Sequence, residues 1–317
     1  MKALQFDDFK GIDSMEFRDI PIPEPKSDEV QIQVEYVSVN PVDWKLSEGV
    51  LKEALPHKLP VTVGWDVSGL ICKVGSDVRN FRPGDPVFAY CRKEIVQEGT
   101  YAEFVTFAAK HVALKPKSLT FEQAASIPLC ALTAWQAFFD VGKLQKGETL
   151  LIHAGAGGVG SFAIQMAKWI GSKIYTTASS SNHSYVKMLG ADIAIDYKNE
   201  NFVDVIHSHE PGGVDIVFDC VGGKTQNESF KILKKGGRLV SIVGKPDQKL
   251  ADEYGVSGLL AFVRPNGEQL RKIGQLFDEG TLEPPNITII PFASAKEALR
   301  ENRKGHTRGK IVVRVNR

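Results

Sequence analysis

The stretch Thr149-Leu-Leu-Ile-His-Ala-Gly-Ala-Gly-Gly-Val-Gly160 decides how the rest of the chain is read. Leu150 to Ile152 is a short apolar run of the kind that forms a buried parallel strand, and Ser161 to Ile170 patterns as a helix. Between them lies Gly155-x-Gly157-x-x-Gly160. In a dinucleotide turn the first glycine permits the tight bend, the second admits a pyrophosphate to the backbone, and the third lets the helix pack closely on the strand. Gly158, Val159 and Gly160 are cofactor-binding candidates within the turn, and the N-terminus of the helix that follows offers N–H groups to the anion. Glycine turns are common, so the motif alone is weak; the strand before it and the helix after it give it weight.

At 317 residues the chain has room for two domains and a sizeable core. Its 39 Lys and Arg against 38 Asp and Glu create no bulk field, so attraction to nucleic acid or to a membrane surface is not expected. Recognition must be local. Cys72, Cys91, Cys130 and Cys220 are scattered, with no C-x-x-C pair, which argues for reduced thiols and against a disulfide framework or zinc knuckle. No 18-residue apolar span occurs and the N-terminus lacks a signal-like apolar run, so a soluble cytoplasmic protein is expected.

The first third patterns as β structure. Glu29 to Tyr36 alternates polar and apolar residues, as a strand with one face in a core and one in water does. Short runs follow at Val67 to Val74, Pro86 to Tyr90, Tyr101 to Phe107 and His111 to Leu114, broken by Gly75, Pro83-Gly84, Gly99 and Pro116. From Thr120 the pattern turns to helices alternating with apolar strands. Helices are predicted at 121–126, 132–141, 185–189, 202–207 and 226–233, with strands at 150–152, 173–178, 193–195, 214–220 and 238–243. Such βα repetition predicts a Rossmann-type doubly wound parallel sheet, so the fold class is α/β with a separate β-barrel-like domain. Lys245 to Gly255 is polar and is read as a loop. Gly258 to Val263 is read as a last strand and Glu268 to Glu279 as an amphipathic helix. The strands at 287–290 and 310–315, flanking a helix at 295–300, return to the first domain. The predicted domains are 1–125, 126–265 and the returning segment 266–317.

The cofactor is narrowed by an absence. Sites for the unphosphorylated dinucleotide place an acid about 20 residues past the glycines, on the ribose 2′-OH. Here the second strand ends in Ala178-Ser-Ser-Ser-Asn-His183, and no Asp or Glu occurs from Thr149 through Ala191. Ser179 and Ser180, with Lys187 and Tyr197 nearby, can receive a 2′-phosphate instead, which predicts NADPH over NADH. A serine-rich turn accounts for the serines but not for the missing acid.

Several further motifs, taken together, resemble the medium-chain dehydrogenase/reductase superfamily, and in it the zinc-independent quinone oxidoreductases that include zeta-crystallin. They are Ser38-Val-Asn-Pro-Val-Asp-Trp-Lys45, Val63-Gly-Trp-Asp-Val-Ser-Gly69, Ile127 to Gln136, Ala154 to Gly160, Asp215 to Gly222 and Gly305-His-Thr-Arg-Gly-Lys310. The resemblance implies a GroES-like β domain, a Rossmann domain and a returning tail. It also implies small-molecule quinone or conjugated carbonyl substrates, and a homodimer, which nothing in the residues themselves fixes. Zinc-dependent relatives carry ligands where Asn40, Trp65 and Leu129 stand here, and these three cannot hold a metal, so none is expected.

By the same resemblance Asn40, Asp43 and Thr133 are candidate catalytic residues bordering the nicotinamide, and Gly222, Val243, Phe262 and Val263 are candidate cofactor contacts. Each has a plainer reading: an Asx-turn before Pro41 for Asn40, a structural carboxylate for Asp43, a backbone-bonded helix hydroxyl for Thr133. Trp65 and Tyr90 either wall an aromatic slot or belong to the core. The basic run Arg300 to Lys310 reads as a solvated face, or else Arg308 or Lys310 helps hold a loop of the site. The expected activity is NADPH-dependent hydride transfer to quinones or conjugated carbonyls. The alternatives are enone or enal double-bond reduction and a non-catalytic NADPH-binding structural or sensor protein.

Overall fold

The structure, a computed structural model, describes residues 1–305 and 307–316; His306, part of one motif above, lies outside the described residues. The chain forms two compact units, 1–129 with 264–317, and 130–263. In chain order the first unit opens with β1 (Lys2–Phe6), β2 (Glu16–Asp19), β3 (Glu29–Ser38), α1 (Pro41–Ser47), β4 (Val61–Thr62), β5 (Asp66–Val74), β6 (Pro86–Tyr90), β7 (Phe104–Ala108), β8 (Val112–Leu114) and α2 (Phe121–Ala125). Helix α3 (Pro128–Trp135) leads into the second unit. There follow β9 (Thr149–Ile152), α4 (Gly158–Ile170), β10 (Lys173–Ala178), α5 (His183–Met188), β11 (Ile193–Asp196), α6 (Phe202–His209), β12 (Val214–Asp219), α7 (Gly223–Ser229), β13 (Leu233–Ser241), α8 (Gln248–Tyr254) and β14 (Ser257–Leu260). The tail adds α9 (Gly267–Asp278), β15 (Ile287–Pro291), α10 (Ala295–Arg303) and β16 (Lys310–Arg314).

In the 130–263 unit the strands run in the order β11-β10-β9-β12-β13-β14, all neighbours parallel. The order reverses between β9 and β12, so the crevice of this doubly wound sheet opens at the carboxyl end of β9, where the glycine turn begins. Leu151, Tyr175, Ile195, Val217, Phe230 and Leu239 are fully buried in one core cluster of this unit. Each such side chain contributes roughly 1.5–3 kcal/mol relative to exposure.

The other unit carries the sheet β15-β16-β3-β5-β6-β8, with β7 also on β3, and a small sheet β2-β1-β4. β16 pairs antiparallel with β3 through Val312–Ser38, Val313–Val37 and Arg314–Tyr36. The polar side of β3 is not wet as its alternation suggested. Gln31 is buried and donates to the Pro23 carbonyl at 2.7 Å, because the segment before β3 lies across that face.

Three local readings change. The polar stretch 245–255 contains α8, capped by Asp247, which accepts the Lys249 and Leu250 N–H groups, and closed by Gly255 in the left-handed region; Ala251 is its one buried residue. The helix expected at 132–141 is α3 followed by a π-helical turn, Gln136–Val141. The helix expected at 226–233 starts earlier, at Gly223, and passes through a 3-10 turn into β13. Short elements, β1, β2, β4 and α1, lack enough residues to show a period.

Candidate active site

In the 130–263 unit the glycine turn is built by close packing. A Cβ on Gly155 would meet Thr176 Oγ1 at 2.0 Å, and one on Gly160 would meet the Ala154 carbonyl oxygen at 2.3 Å. Gly157 is roomier, its Cβ position 3.3 Å from the Ala154 oxygen. The residue in the left-handed region is Ala154, with φ 56°, not Gly155. Gly155 is therefore needed for its contact with β10, while the bend sits one residue earlier. Helix α4 starts at Gly158 with Gly157 as its cap, so no capping side chain takes the first N–H groups, at Gly158, Val159 and Gly160, and a helix start of this kind suits an anion. The residues present fit a dinucleotide pyrophosphate.

Beneath that turn His153 is buried, with Nδ1 at 3.1 Å from Thr177 Oγ1 and Nε2 at 3.0 Å from Ser229 Oγ. Ser229 donates its proton to the Thr225 carbonyl at 2.7 Å, and Thr177 Oγ1 accepts the Ala154 N–H at 3.1 Å. Those roles assign the tautomer. Nε2–H donates to Ser229, and the Thr177 hydroxyl donates to Nδ1. Burial pushes the His153 pKa down to about 4, against an opposing effect of the Asp219 charge, so the neutral ring is the resident form.

The carboxyl ends of β10 and β11 are adjacent, since Ala178 pairs with Asp196, so Ser179 and Tyr197 leave the sheet at the same level. Ser179 contacts Ser181 Oγ at 3.1 Å and accepts the Asn182 side-chain amide at 3.0 Å; Ser180 and Tyr197 are exposed. An acid does stand nearby in Asp196, which the linear spacing did not reveal. It is turned into its own loop, accepting the Lys198 N–H at 3.2 Å and the Asn199 amide at 2.8 Å. At the ends of the next strands Gly222 (φ 81°) and Val243 come together, a Cβ on the former lying 3.1 Å from Val243 Cγ2. Val221, Val243 and Phe262 are each about half exposed, and Val263 is partly buried. Exposed apolar side chains at the carboxyl ends of parallel strands suit a flat ring. Thr133 lies buried in α3.

The other unit holds a buried polar cluster. Asn40 precedes α1, and its N–H donates to Asp43 Oδ2 at 2.8 Å. Its side chain is engaged at both ends, Nδ2 donating to Asp66 Oδ2 at 2.8 Å and Oδ1 accepting from Lys310 Nζ at 2.6 Å. Lys310 also donates to the Val39 carbonyl at 2.9 Å, and Asp66 Oδ1 accepts the Leu129 N–H at 2.7 Å. With 4% exposure Lys310 is no part of a solvated face; the pairing of β16 with β3 carries it inside. Asp66 and Lys310 were not singled out as a pair by sequence, although a lone Asp in the apolar run Val61 to Val67 signals a buried charge that needs a partner.

Electrostatics follow from that burial. Asp43 is pushed up to about 8 by desolvation, opposed by the Asn40 N–H and reinforced by the Asp66 charge. Asp66 is pushed up to about 6 by desolvation, held down in part by Lys310 and Asn40. Among the described residues Asp43 Oδ1 has no hydrogen-bond partner, so no donor stabilises a charge on that oxygen. Trp65 and Tyr90 are core aromatics, edge to face at 5.9 Å, rather than walls of a slot. Among the described residues there is no group of three or more His, Cys, Asp or Glu that could hold a metal ion.

Comparison with known proteins agrees with this architecture. Residues 26–117 match the alcohol dehydrogenase GroES-like domain, and residues 189–313 match the zinc-binding dehydrogenase family. A chloroplastic NADPH-dependent alkenal/one oxidoreductase of Arabidopsis thaliana is 35% identical, over 99% of this chain and 79% of its own. A chloroplast envelope quinone oxidoreductase homolog of the same plant is 31% identical, over 99% of this chain and 98% of its own. The solved quinone oxidoreductase of Coxiella burnetii superposes with a TM-score of 0.90 at 35% identity, covering 100% of this chain and 99% of that one. The chain belongs to the medium-chain dehydrogenase/reductase superfamily, among its quinone oxidoreductases and enone reductases, and is an oxidoreductase.

Proposed function

We propose that the protein is an NADPH-dependent reductase of quinones and conjugated carbonyls that works without zinc. The observation that carries this reading is the glycine cradle at the start of α4 followed, at the end of β10, by the hydroxyls of half-buried Ser179 and exposed Ser180 where an acid would read an unphosphorylated ribose. When bound, the cofactor supplies a hydride to an electrophilic carbon or a quinone oxygen. The chain's own part is positioning. The first N–H groups of α4 hold the pyrophosphate, Ser179, Ser180 and Tyr197 receive the phosphorylated ribose, and Val243, Phe262 and Val263 flank the ring, with Thr133 approaching from α3. Asn40 and Asp43 belong to the same reading as residues that set the loop before α1 and its charge. Free thiols at all four cysteines are compatible with a cytoplasmic location, which is part of the proposal, as is a homodimer.

Following NADPH oxidation at 340 nm with a simple quinone, an enal and an enoyl thioester tests the reading. Turnover of the quinone or the enal, undiminished by a chelator, is expected. NADPH binding with no turnover of any of the three would favour a structural or sensor role, and stoichiometric zinc whose removal abolishes turnover would overturn the metal-free mechanism. The enal arm has its own support in the 35% identity to the alkenal/one oxidoreductase.

A further inference from the structure

Three buried side chains tie together the loops that leave β12 and β13, and among the described residues no hydrogen bond links them to the glycine turn. Asp219, at the end of β12, accepts the N–H groups of Val221 and Gly222 on Oδ1 at 2.9 and 2.8 Å. Its Oδ2 accepts the Ser241 hydroxyl from the end of β13 at 2.8 Å and the Gln226 amide from α7, also at 2.8 Å. The Gln226 amide reaches Ser241 Oγ at 3.0 Å and the Gly244 carbonyl at 3.3 Å, while Ser241 Oγ accepts the Val243 N–H at 3.3 Å. The Ser241 carbonyl then accepts the Ala261 N–H at 2.8 Å, one residue before Phe262. Asp219 and Ser241 are fully buried and Gln226 nearly so.

We infer that Asp219, Gln226 and Ser241 form a clamp whose function is to position the backbone around Val221, Gly222 and Val243 for the nicotinamide half of the cofactor; the inference rests on the dinucleotide reading above. The physical case has two parts. A buried carboxylate whose two oxygens are engaged by four donors, two from the loop after β12, one from α7 and one from the end of β13, is a rigid junction, because releasing any one donor leaves a buried polar group unsatisfied. The clamped residues Val221 and Val243 are also exposed apolar ones, so order in the buried layer is transmitted to the layer that meets a ligand. α7 serves the glycine turn separately, through Ser229 and His153. Gln226 is thus a positioning residue for one half of the cofactor only.

The test uses Gln226→Met, which keeps the length and removes the amide, and Ser241→Ala beside Ser241→Thr, which restores the hydroxyl. Binding of NADPH and of adenosine 2′,5′-bisphosphate, the half of the cofactor without nicotinamide, is measured by calorimetry. NADPH should weaken about tenfold in Gln226→Met and Ser241→Ala, the bisphosphate should stay within twofold, and Ser241→Thr should recover most of the loss. Retained bisphosphate binding shows that the unit has folded. In the ligand-free variants, amide exchange at Val221, Gly222 and Gly244 should speed up about tenfold or more while Gly157 keeps its protection. Parallel weakening of both ligands, or unchanged NADPH binding with unchanged exchange, overturns the clamp. Wild-type protein that binds neither ligand overturns the dinucleotide reading, and with it the nicotinamide role; the exchange arm still reports whether the clamp orders these loops.

Discussion

At the scale of single residues the phosphate preference is the sharpest consequence of the site. Ser179 is a half-buried hydroxyl at the strand end where a carboxylate would repel a 2′-phosphate, and the nearest acid, Asp196, is turned into its own loop. Ser179→Asp should therefore weaken NADPH by at least about tenfold, roughly 1.4 kcal/mol, and leave NADH equal or tighter. Titration of both nucleotides checks it; an unchanged NADPH constant would remove Ser179 from the phosphate site. The glycine spacing was fully legible in the sequence, because Cβ-free positions at fixed offsets are a local property. Which glycine does which job was not. The strain sits at Ala154, and Gly155 is required by Thr176 on the neighbouring strand, a contact that only the pairing of β9 with β10 creates.

Among elements, the pairing of β16 with β3 does most to build the buried cluster, since it brings Lys310 to Asn40 across 270 residues of chain. Removing the cation leaves the buried Asp66 carboxylate without its compensating charge. Lys310→Met should cost about 3–5 kcal/mol in a denaturation experiment. Asp66→Asn alone sets two amide donors against each other, because Asn40 Nδ2 already points at that oxygen. With Lys310 gone the Asn40 amide is able to flip, so the double variant Asp66→Asn with Lys310→Met should lose clearly less than the sum of the singles. Additive losses would mean the two side chains are energetically independent. The sequence could not announce this pair. Helices and strands with a sustained period, such as β10 and α9, were readable because burial repeats along them, whereas a partner 270 residues away is set by register. For the same reason α8 was missed: one buried residue gives no period, though its Asp cap and terminal Gly were in view.

For the molecule as a whole, the βα order and the returning tail could be read from the alternation of strand and helix patterns, while the charge balance of the interior could not, since it depends on which ionisable groups the fold encloses. Those groups make the two units respond oppositely to pH. In the 130–263 unit His153 has a folded pKa lowered from 6.5 to about 4 by burial. The stability its neutral form allows is present above 6.5 and is lost as pH falls toward 4, on the order of 3 kcal/mol when complete. In the other unit Asp43 and Asp66 have folded pKa values raised from 3.8 to about 8 and about 6. Their contribution is present below 3.8 and is lost as pH rises, through about 6 for Asp66 and through about 8 for Asp43, because the folded state binds protons that the unfolded chain has released. Thermal unfolding recorded from pH 4 to pH 9 should therefore show opposed contributions that overlap between pH 4 and 6.5, with Asp43 acting alone between 6.5 and 8. His153→Gln, which cannot take up a proton, should make stability fall more steeply with rising pH between 4 and 6.5 and leave the slope above 6.5 unchanged. Asp43→Asn, a neutral mimic of the protonated carboxyl, should flatten the fall between pH 6.5 and 8 and lessen the downward slope below it. Either substitution leaving the slope in its own window unchanged would show that the protons are taken up elsewhere.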